Sequence, residues 1–166
     1  MKKILLVLCI GIVVCLSGCG NINKYRSDQE LSDEMLENII SSVEEKDVDQ
    51  FINLFSKEAI DKAVNLENCV DEFMEFYQGN MKRYDGLPSS NRASKYGRTV
   101  ERKLRVHYTV VTDQEEYAIA FDYCVIDEEN PDRVGLTAIE ITSKEHYDNE
   151  DFRWSYTSRP GVYVAE

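Results

Sequence analysis

The sequence predicts an α+β domain, with amino-terminal helices packed on a curved antiparallel β-sheet. Apolar residues recur at the spacing of amphipathic helices through the first half of the chain, up to about residue 78. From Met81 onward they alternate with polar residues, which is typical of strands with one buried face. The chain has 166 residues, a length that suits one domain with a single core.

The first nineteen residues predict an export signal. Two lysines precede an unbroken apolar run over residues 4–16, which is too short to span a bilayer. The ending Leu16-Ser17-Gly18-Cys19 resembles the lipobox of bacterial lipoproteins, in which the cysteine receives a diacylglyceryl group and becomes the first residue of the mature chain. The resemblance implies that Cys19 is lipidated, and two acyl chains would anchor the protein stably to a membrane.

This interpretation divides the chain into three parts. Residues 1–18 are the signal peptide, residues 19–27 hold the lipidated cysteine and a flexible tether, and residues 28–166 form one domain. Removing the signal peptide leaves 17 basic and 31 acidic residues, a net charge of −14. Affinity for a phosphate backbone comes from clustered Lys and Arg, so we expect no nucleic-acid partner, and we expect anionic lipids to repel the domain.

Three cysteines remain in the mature chain. Cys19 is assigned to the lipid, whereas Cys69 and Cys124 lie in apolar surroundings on a predicted helix and a predicted strand. Two cysteines form no disulfide framework, and no Cys-x-x-Cys spacing is present. Buried free thiols are the favoured interpretation, and a disulfide between the two is the alternative, because an extracytoplasmic setting permits one.

Capping residues mark the starts of the predicted helices. The motif Ser27-x-x-Glu30 has the spacing of a capping box and precedes an apolar stripe over residues 31–43. Asp47 is a second predicted cap, before a shorter apolar stripe over residues 51–59. A third helix is predicted over residues 66–78.

Two strands of the predicted sheet form a hairpin. Their apolar residues alternate in two runs on either side of a turn at residues 113–114. Pairing across that turn places Val106 opposite Phe121 and brings the two apolar faces together. A shift of one residue would set apolar against polar side chains along the whole pair, so the register is strongly determined. The same register places Arg105 opposite Asp122 on the other face.

The third strand, residues 134–142, has two possible registers. One directs Leu136 and Glu140 to the aromatic face of the hairpin, and the other directs Ile139 and Ile141 there. We favour the second because it avoids burying a glutamate without a partner.

Two further segments flank these strands. Residues 87–98 are expected to hold a turn and an irregular or bulged approach to the sheet. The tail from Phe152 to Tyr163 is too aromatic for a disordered end, and we expect it to pack as a further strand or cover, interrupted at Pro160.

The order of these elements resembles the nuclear-transport-factor-like α+β cone, the cystatin-like fold shared with ketosteroid isomerases. Residues 43–56 resemble the helix-turn-helix opening of that superfamily. The mature chain, including residues 136–141 and 154–166, resembles a family of small Gram-positive lipoproteins known only as a domain of unknown function. The resemblance implies the cone fold and a place on the outer face of the cell membrane of a Gram-positive bacterium. It implies no activity, because such folds host many functions.

The first candidate site is a pocket between the concave face of the sheet and the helices. An enzyme with this fold would place an acid beside tyrosines there, as ketosteroid isomerases do. The residues of this pocket would be Tyr108, Tyr117, Phe121, Tyr123 and Glu140. Tyrosine on a strand face is also an ordinary core residue, and the pattern forces no acid into an apolar pocket, so we expect no catalytic residue.

The second candidate site is an aromatic and basic patch near the end of an otherwise acidic chain. Its residues are Tyr147, Phe152, Arg153, Trp154, Tyr156 and Arg159. Such a patch suits the binding of a partner, and the alternative is that it only covers the open end of the sheet. The two histidines, His107 and His146, stand at no metal-ligand spacing, so we expect no metal and no cofactor.

These observations together favour a membrane-anchored extracytoplasmic lipoprotein that binds a small-molecule ligand or a partner protein and catalyses no reaction. The alternative is a small-molecule enzyme, of isomerase or hydratase type, that works in the cone pocket.

Overall fold

The computed structural model describes residues 26–154 and 159–165. The signal peptide, Cys19 and Tyr156 lie outside the described residues. The helices are α1 (Asp28–Glu45), α2 (Val48–Asn53), α3 (Lys57–Lys62), α4 (Leu66–Phe76) and α5 (Lys144–Tyr147). The strands are β1 (Met81–Lys95), β2 (Arg98–Thr112), β3 (Glu116–Asp127), β4 (Gly135–Ser143) and β5 (Gly161–Ala165).

The five strands form one sheet in the order β1-β2-β3-β4-β5, which is not closed into a barrel. The first four strands are antiparallel, and β5 lies parallel to β4. The predicted α+β class is therefore confirmed, but the sheet is mixed rather than antiparallel. The tail does form a strand after Pro160, and it pairs in parallel with β4.

The β2–β3 hairpin has the predicted register. Val106 pairs with Phe121, Tyr108 with Ile119, and Arg105 with Asp122. The apolar side chains of this pair face helix α1, where Leu36, Ile39 and Val43 are fully buried. The core therefore lies between the helices and one face of the sheet, and we call the opposite face the outer face.

A β-bulge between β3 and β4 means that each of the two predicted registers holds for only part of β4. Phe121 pairs with Ile139, as the favoured register predicts. After Asp122 the pairing shifts by one residue, so that Tyr123 pairs with Leu136. The extra residue lets Leu136 and Ile139 both reach the core, where both are fully buried. Strict alternation cannot place residues three apart on one face, so neither simple register describes the whole strand.

The helices begin as the sequence predicts. The Ser27 side chain accepts from the backbone of Glu30 and the Glu30 carboxylate accepts from the backbone of Ser27, a complete capping box. The Asp47 carboxylate caps α2 through the backbone N–H of Gln50, with a distance of 2.8 Å. These bonds satisfy donors that the first turn of a helix otherwise leaves unpaired.

The segment over residues 87–98 holds the turn and the bulged approach that the sequence predicts. Residues 87–95 pair with β2 with a register shift between Ala93 and Ser94, and the turn lies at Tyr96 and Gly97.

The structure differs from the prediction at the second helix. The predicted second helix is two short helices, α2 and α3, separated by Phe55, which forms a parallel bridge with Leu136 of β4. Within the described residues, no helix has both the length and the hydrophobicity needed to cross a bilayer.

Candidate ligand-binding face of the sheet

The helix-facing side of the sheet is filled by its own side chains. Tyr108 and Tyr117 are 2% exposed and Phe121 is fully buried. Tyr123 is half-buried near the end of the same face. Glu140 lies on the outer face, because it pairs with Ala120 rather than with a core residue. The structure thus brings four of the five predicted pocket residues to one face and separates the acid from them.

The hydroxyls of the two buried tyrosines have partners. The Tyr108 hydroxyl lies 2.5 Å from Asp33 Oδ1 and 2.9 Å from Ser32 Oγ. The Tyr117 hydroxyl accepts from the backbone N–H of Gln78 at 2.8 Å. Burial, with the hydrogen bond to Asp33 added, raises the pKa of Tyr108 well above its usual range. At neutral pH these tyrosines are protonated core residues whose polar ends reach the rim.

The outer face carries a polar groove of about 510 Å³ between β1 and β4. Polar side chains dominate its lining, which comprises Ser89, Ser90, Asn91, Lys103, Leu104, Arg105, Asp122, Tyr123, Cys124 and Thr137. A volume in this range matches sites that hold small molecules.

The predicted cross-strand pair lies in this groove. Arg105 Nε and Nη2 each donate to the Asp122 carboxylate at 2.9 Å. The Arg105 side chain is half exposed, so a ligand can reach its charge. The two-point bond to Asp122 holds the guanidinium in a fixed plane, and a ligand oxyanion would meet it from the exposed side.

Lys103 and Cys124 are neighbours across β2 and β3 in the same groove. The ammonium of Lys103 pairs with Glu101 at 2.5 Å, and half of its side chain is exposed. Burial raises the pKa of Cys124 to about 11, and its thiol points to the carbonyl of Ile126 at 3.6 Å. Cys124 is therefore a protonated, unreactive wall of the groove. Cys69 and Cys124 are both free thiols.

The aromatic residues of the predicted patch form one cluster beside the groove. Phe152 and Trp154 meet edge to face with ring centroids 4.9 Å apart, and Tyr147 lies 5.4 Å from Phe152. Trp154 also stacks on His107 of β2 at 5.5 Å. The remaining described members of the patch, Arg153 and Arg159, are exposed.

The cluster covers part of the outer face. Trp154 and Tyr163 pack on two small residues, Ala120 and Ala138, which are buried beneath them. Glu140, the strand neighbour of Tyr163, lies on the outer face as the favoured register predicts, and it is fully buried there. The sequence feature that could have indicated this cover is the alanine at outer positions of β3 and β4, because a small side chain leaves room for a segment packed on top.

His107 titrates in an environment that disfavours its charged form. Burial under Trp154 lowers the pKa of His107 below its ordinary value of 6.5, and the nearby Arg105 guanidinium lowers it further. The contact between His107 and Trp154 joins residues far apart in sequence and leaves no local pattern from which it could be predicted. The side chain is neutral at physiological pH and offers hydrogen-bonding nitrogens next to the groove.

Acidic and sulfur ligands do not gather anywhere on this face. Among residues 26–154 and 159–165, no group of three or more His, Cys, Asp or Glu side chains has the arrangement needed to hold a metal ion.

A match to a known protein family includes the residues of the groove but not those of the aromatic cluster. A family model described as a domain of unknown function, DUF5104, matches residues 38–145, which is 108 of the 166 residues. No curated protein matches the chain. The match runs from helix α1 through β4, so it includes Arg105, Asp122 and the other groove residues. Because it spans well over half of the sequence, the chain belongs to the DUF5104 family.

Proposed function

We propose that this protein is a lipid-anchored extracytoplasmic lipoprotein whose domain binds a small polar ligand or a partner protein on the outer face of its sheet. The observation that carries the proposal is the groove of about 510 Å³ around Arg105 and Asp122, flanked by Trp154. The other side of the sheet is occupied by Tyr108 and Phe121, which leaves the groove on the outer face as the accessible cavity.

The groove suits a ligand that carries an oxyanion. Arg105 and Lys103 are half exposed and lie on one strand, while Ser89, Asn91 and Thr137 add neutral hydrogen-bonding groups. Trp154 stacks on His107, which follows Arg105 on the same face of β2. A few polar groups beside an aromatic ring are the usual composition of a specific small-ligand site.

The proposed location outside the membrane rests on the predicted signal peptide and the cysteine that follows it. The lipobox-like Leu16-Ser17-Gly18-Cys19 supports cleavage before Cys19, diacylglyceryl and palmitoyl attachment, and retention on the outer face of a Gram-positive cell membrane. The nuclear-transport-factor-like cone is part of the same proposal. It is supported by four helices that precede the sheet and by a core enclosed between them and one sheet face.

The alternative function, a small-molecule enzyme in the cone pocket, has one feature in its favour. The hydroxyl of Tyr108 and the carboxylate of Asp33 are hydrogen-bonded at the rim between α1 and the sheet, where the carboxylate is half-buried. An acid beside a tyrosine is a pair that proton-transfer enzymes use. For this function the side chains that fill the core would have to move aside.

A ligand screen on the mature protein distinguishes the two functions. We expect a small carboxylate or another oxyanion from a panel of metals, lipids and metabolites to raise the melting temperature of the wild type. Arg105→Gln should abolish this shift, and Tyr108→Phe, the matched control on the other face, should retain it. Loss of the shift in Tyr108→Phe with retention in Arg105→Gln would contradict the proposal and favour the cone pocket.

A further inference from the structure

The β1–β2 hairpin is basic in an acidic protein. Residues 81–105 contain eight Lys and Arg but only two acids, a net charge of +6, whereas the whole chain carries −12. The remainder of the chain therefore carries −18. A charge asymmetry of this size orients a protein near a charged surface, whatever the sign of its total charge.

The tip of this hairpin carries an exposed aromatic side chain between two cations. Tyr96 is 98% exposed in the turn between Lys95 and Arg98, and Leu87, further along β1, is 79% exposed. Gly97 follows with φ +73 and completes the tight turn. Tyrosine with flanking Lys and Arg is the combination that settles at the headgroup level of membranes, because the ring is amphipathic and the cations meet phosphate.

Helix α1 starts at the hairpin end of the molecule. Three contacts in order along its length show that α1 runs antiparallel to β1: Glu44 with Met81, Glu37 with Tyr84, and Asp28 with Arg92. Arg102 Nη2 also donates to the carbonyl of Arg26 at 2.8 Å, which fixes the chain just before the helix against β2. The segment that leads back to Cys19 therefore leaves the domain beside the hairpin.

The distances allow the tip to reach the membrane first. From Cys19 to Arg26 the chain spans seven peptide steps, about 25 Å when fully extended. From the paired residues Arg92 and Arg102 to Tyr96, β1 continues for four residues, about 13 Å of strand. The tip thus projects beyond the point where the tether leaves the domain, and the tether is long enough for it to touch the lipid surface.

The cations near the tip have acidic neighbours. Arg98 pairs with Glu128 at 2.8 Å and Lys95 with Glu129 at 3.5 Å, and the Lys95 pair is largely exposed on both sides. Exposed pairs of this kind contribute little free energy, and the attraction of one Lys or Arg to an anionic surface is of the same order. Lipid phosphates can therefore compete with these glutamates for the cations.

From these observations we infer that the tip of the β1–β2 hairpin, residues 92–98, docks on the anionic phospholipid headgroups of the membrane that holds the lipid anchor. The inference rests on the lipid anchoring proposed above. It differs from the expectation that anionic lipids repel the whole domain, because repulsion of the acidic remainder would turn the basic hairpin toward the membrane. The docked domain holds a defined orientation instead of tumbling on its tether.

Photo-crosslinking of the acylated protein tests this inference. Benzoylphenylalanine replaces Tyr96, or, as the control, Gln114 in the exposed turn at the opposite end of β2. Each mature protein is isolated from cells with its acyl chains, reconstituted in vesicles of phosphatidylglycerol and phosphatidylcholine, and irradiated. We expect about fivefold more lipid adduct at position 96 than at position 114, and a loss of this excess in vesicles of phosphatidylcholine alone.

Two further readouts make every outcome informative. The paired change Lys95→Gln and Arg98→Gln should reduce the adduct at position 96, since both side chains are exposed and their removal leaves the core intact. Equal adduct at positions 96 and 114, or a yield independent of phosphatidylglycerol, would overturn the docking inference. Incorporation of labelled palmitate is measured in the same samples: its absence would refute the anchor itself, whereas palmitate without preferential crosslinking would refute only the docking.

Discussion

Trp154 lies over the imidazole of His107, with ring centroids 5.5 Å apart and ring planes inclined by 29°. This contact joins the carboxy-terminal segment to the outer face of β2 next to the groove. Trp154 is the single tryptophan of the chain, so tryptophan fluorescence reports on the surroundings of this one ring.

The first prediction concerns that fluorescence. Protonated imidazole quenches a stacked indole, so emission should fall as the pH drops through the pKa of His107. Burial and Arg105 lower that pKa, so the midpoint should lie below 6.5. His107→Gln should remove the transition. His146→Gln is the matched control, because His146 contacts Phe152 instead, and it should leave the transition in place. A midpoint above 6.5 would contradict the stacking described.

The second prediction concerns alkaline stability. Burial and Asp33 raise the pKa of Tyr108, so the folded state keeps a proton that the unfolded state loses near pH 10. The stabilising contribution is complete below that pH and is lost as the pH rises beyond it. Tyr108→Phe should cost about 1 kcal/mol of unfolding free energy at neutral pH through its lost hydrogen bonds. Its stability should then decline less steeply than that of the wild type above about pH 10.

Denaturant titrations at a series of pH values measure these slopes. Tyr96→Phe changes a fully exposed side chain and should keep the slope of the wild type. Identical slopes for Tyr108→Phe and the wild type would show that Tyr108 ionises as freely in the folded state as in the unfolded state.

The third prediction compares two glycines with positive φ. A Cβ on Gly135, at φ +129, would lie 2.6 Å from the backbone nitrogen of Ser56, which bonds to Leu136. Gly135→Ala should therefore cost about 3 kcal/mol or more, because a backbone contact has to open. Gly97, at φ +73, has open space around it, so Gly97→Ala should cost only about 1 kcal/mol of backbone strain. Equal losses in chemical denaturation would contradict the close approach at Gly135.

The fourth prediction compares two arginines of β2. Arg102 is 3% exposed and donates to the Asp28 carboxylate through Nε at 2.8 Å and Nη2 at 2.6 Å. Arg102→Met should cost about 3 kcal/mol, because it leaves partly buried acceptors at the start of α1 without their donor. Arg105→Met breaks the exposed pair with Asp122 and should cost at most about 1 kcal/mol. Thermal or chemical unfolding of both variants measures the difference, and a larger loss for Arg105→Met would reverse the assignment.

Alternation predicted the register of β2 and β3 because a slip by one residue would bury every polar side chain of one face. It could not predict β4, where a bulge brings both Leu136 and Ile139 into the core, since a bulge leaves no mark in the period. Nor could it predict that residues 87–95 lie in a strand. Most of that stretch is exposed, so no alternation of buried and exposed residues marks it, and only its pairing with β2 makes it extended.

The candidate site was predictable in part. Aromatic density identified Tyr147, Phe152 and Trp154 as a group, and they do pack together. The contact of Trp154 with His107 and the burial of Glu140 beside Tyr163 join residues far apart in sequence, and contacts of that kind have no local pattern. The groove itself arises from neighbouring strands far apart in sequence.

The central claim, that this domain works on the outside of a membrane from a lipid anchor, is tested most directly by mass spectrometry of the mature chain. The account predicts an amino-terminal Cys19 that carries diacylglyceryl, and no acylated form of Cys19→Ala. A mature protein that starts at another residue, or an acyl group that persists after Cys19→Ala, would contradict it.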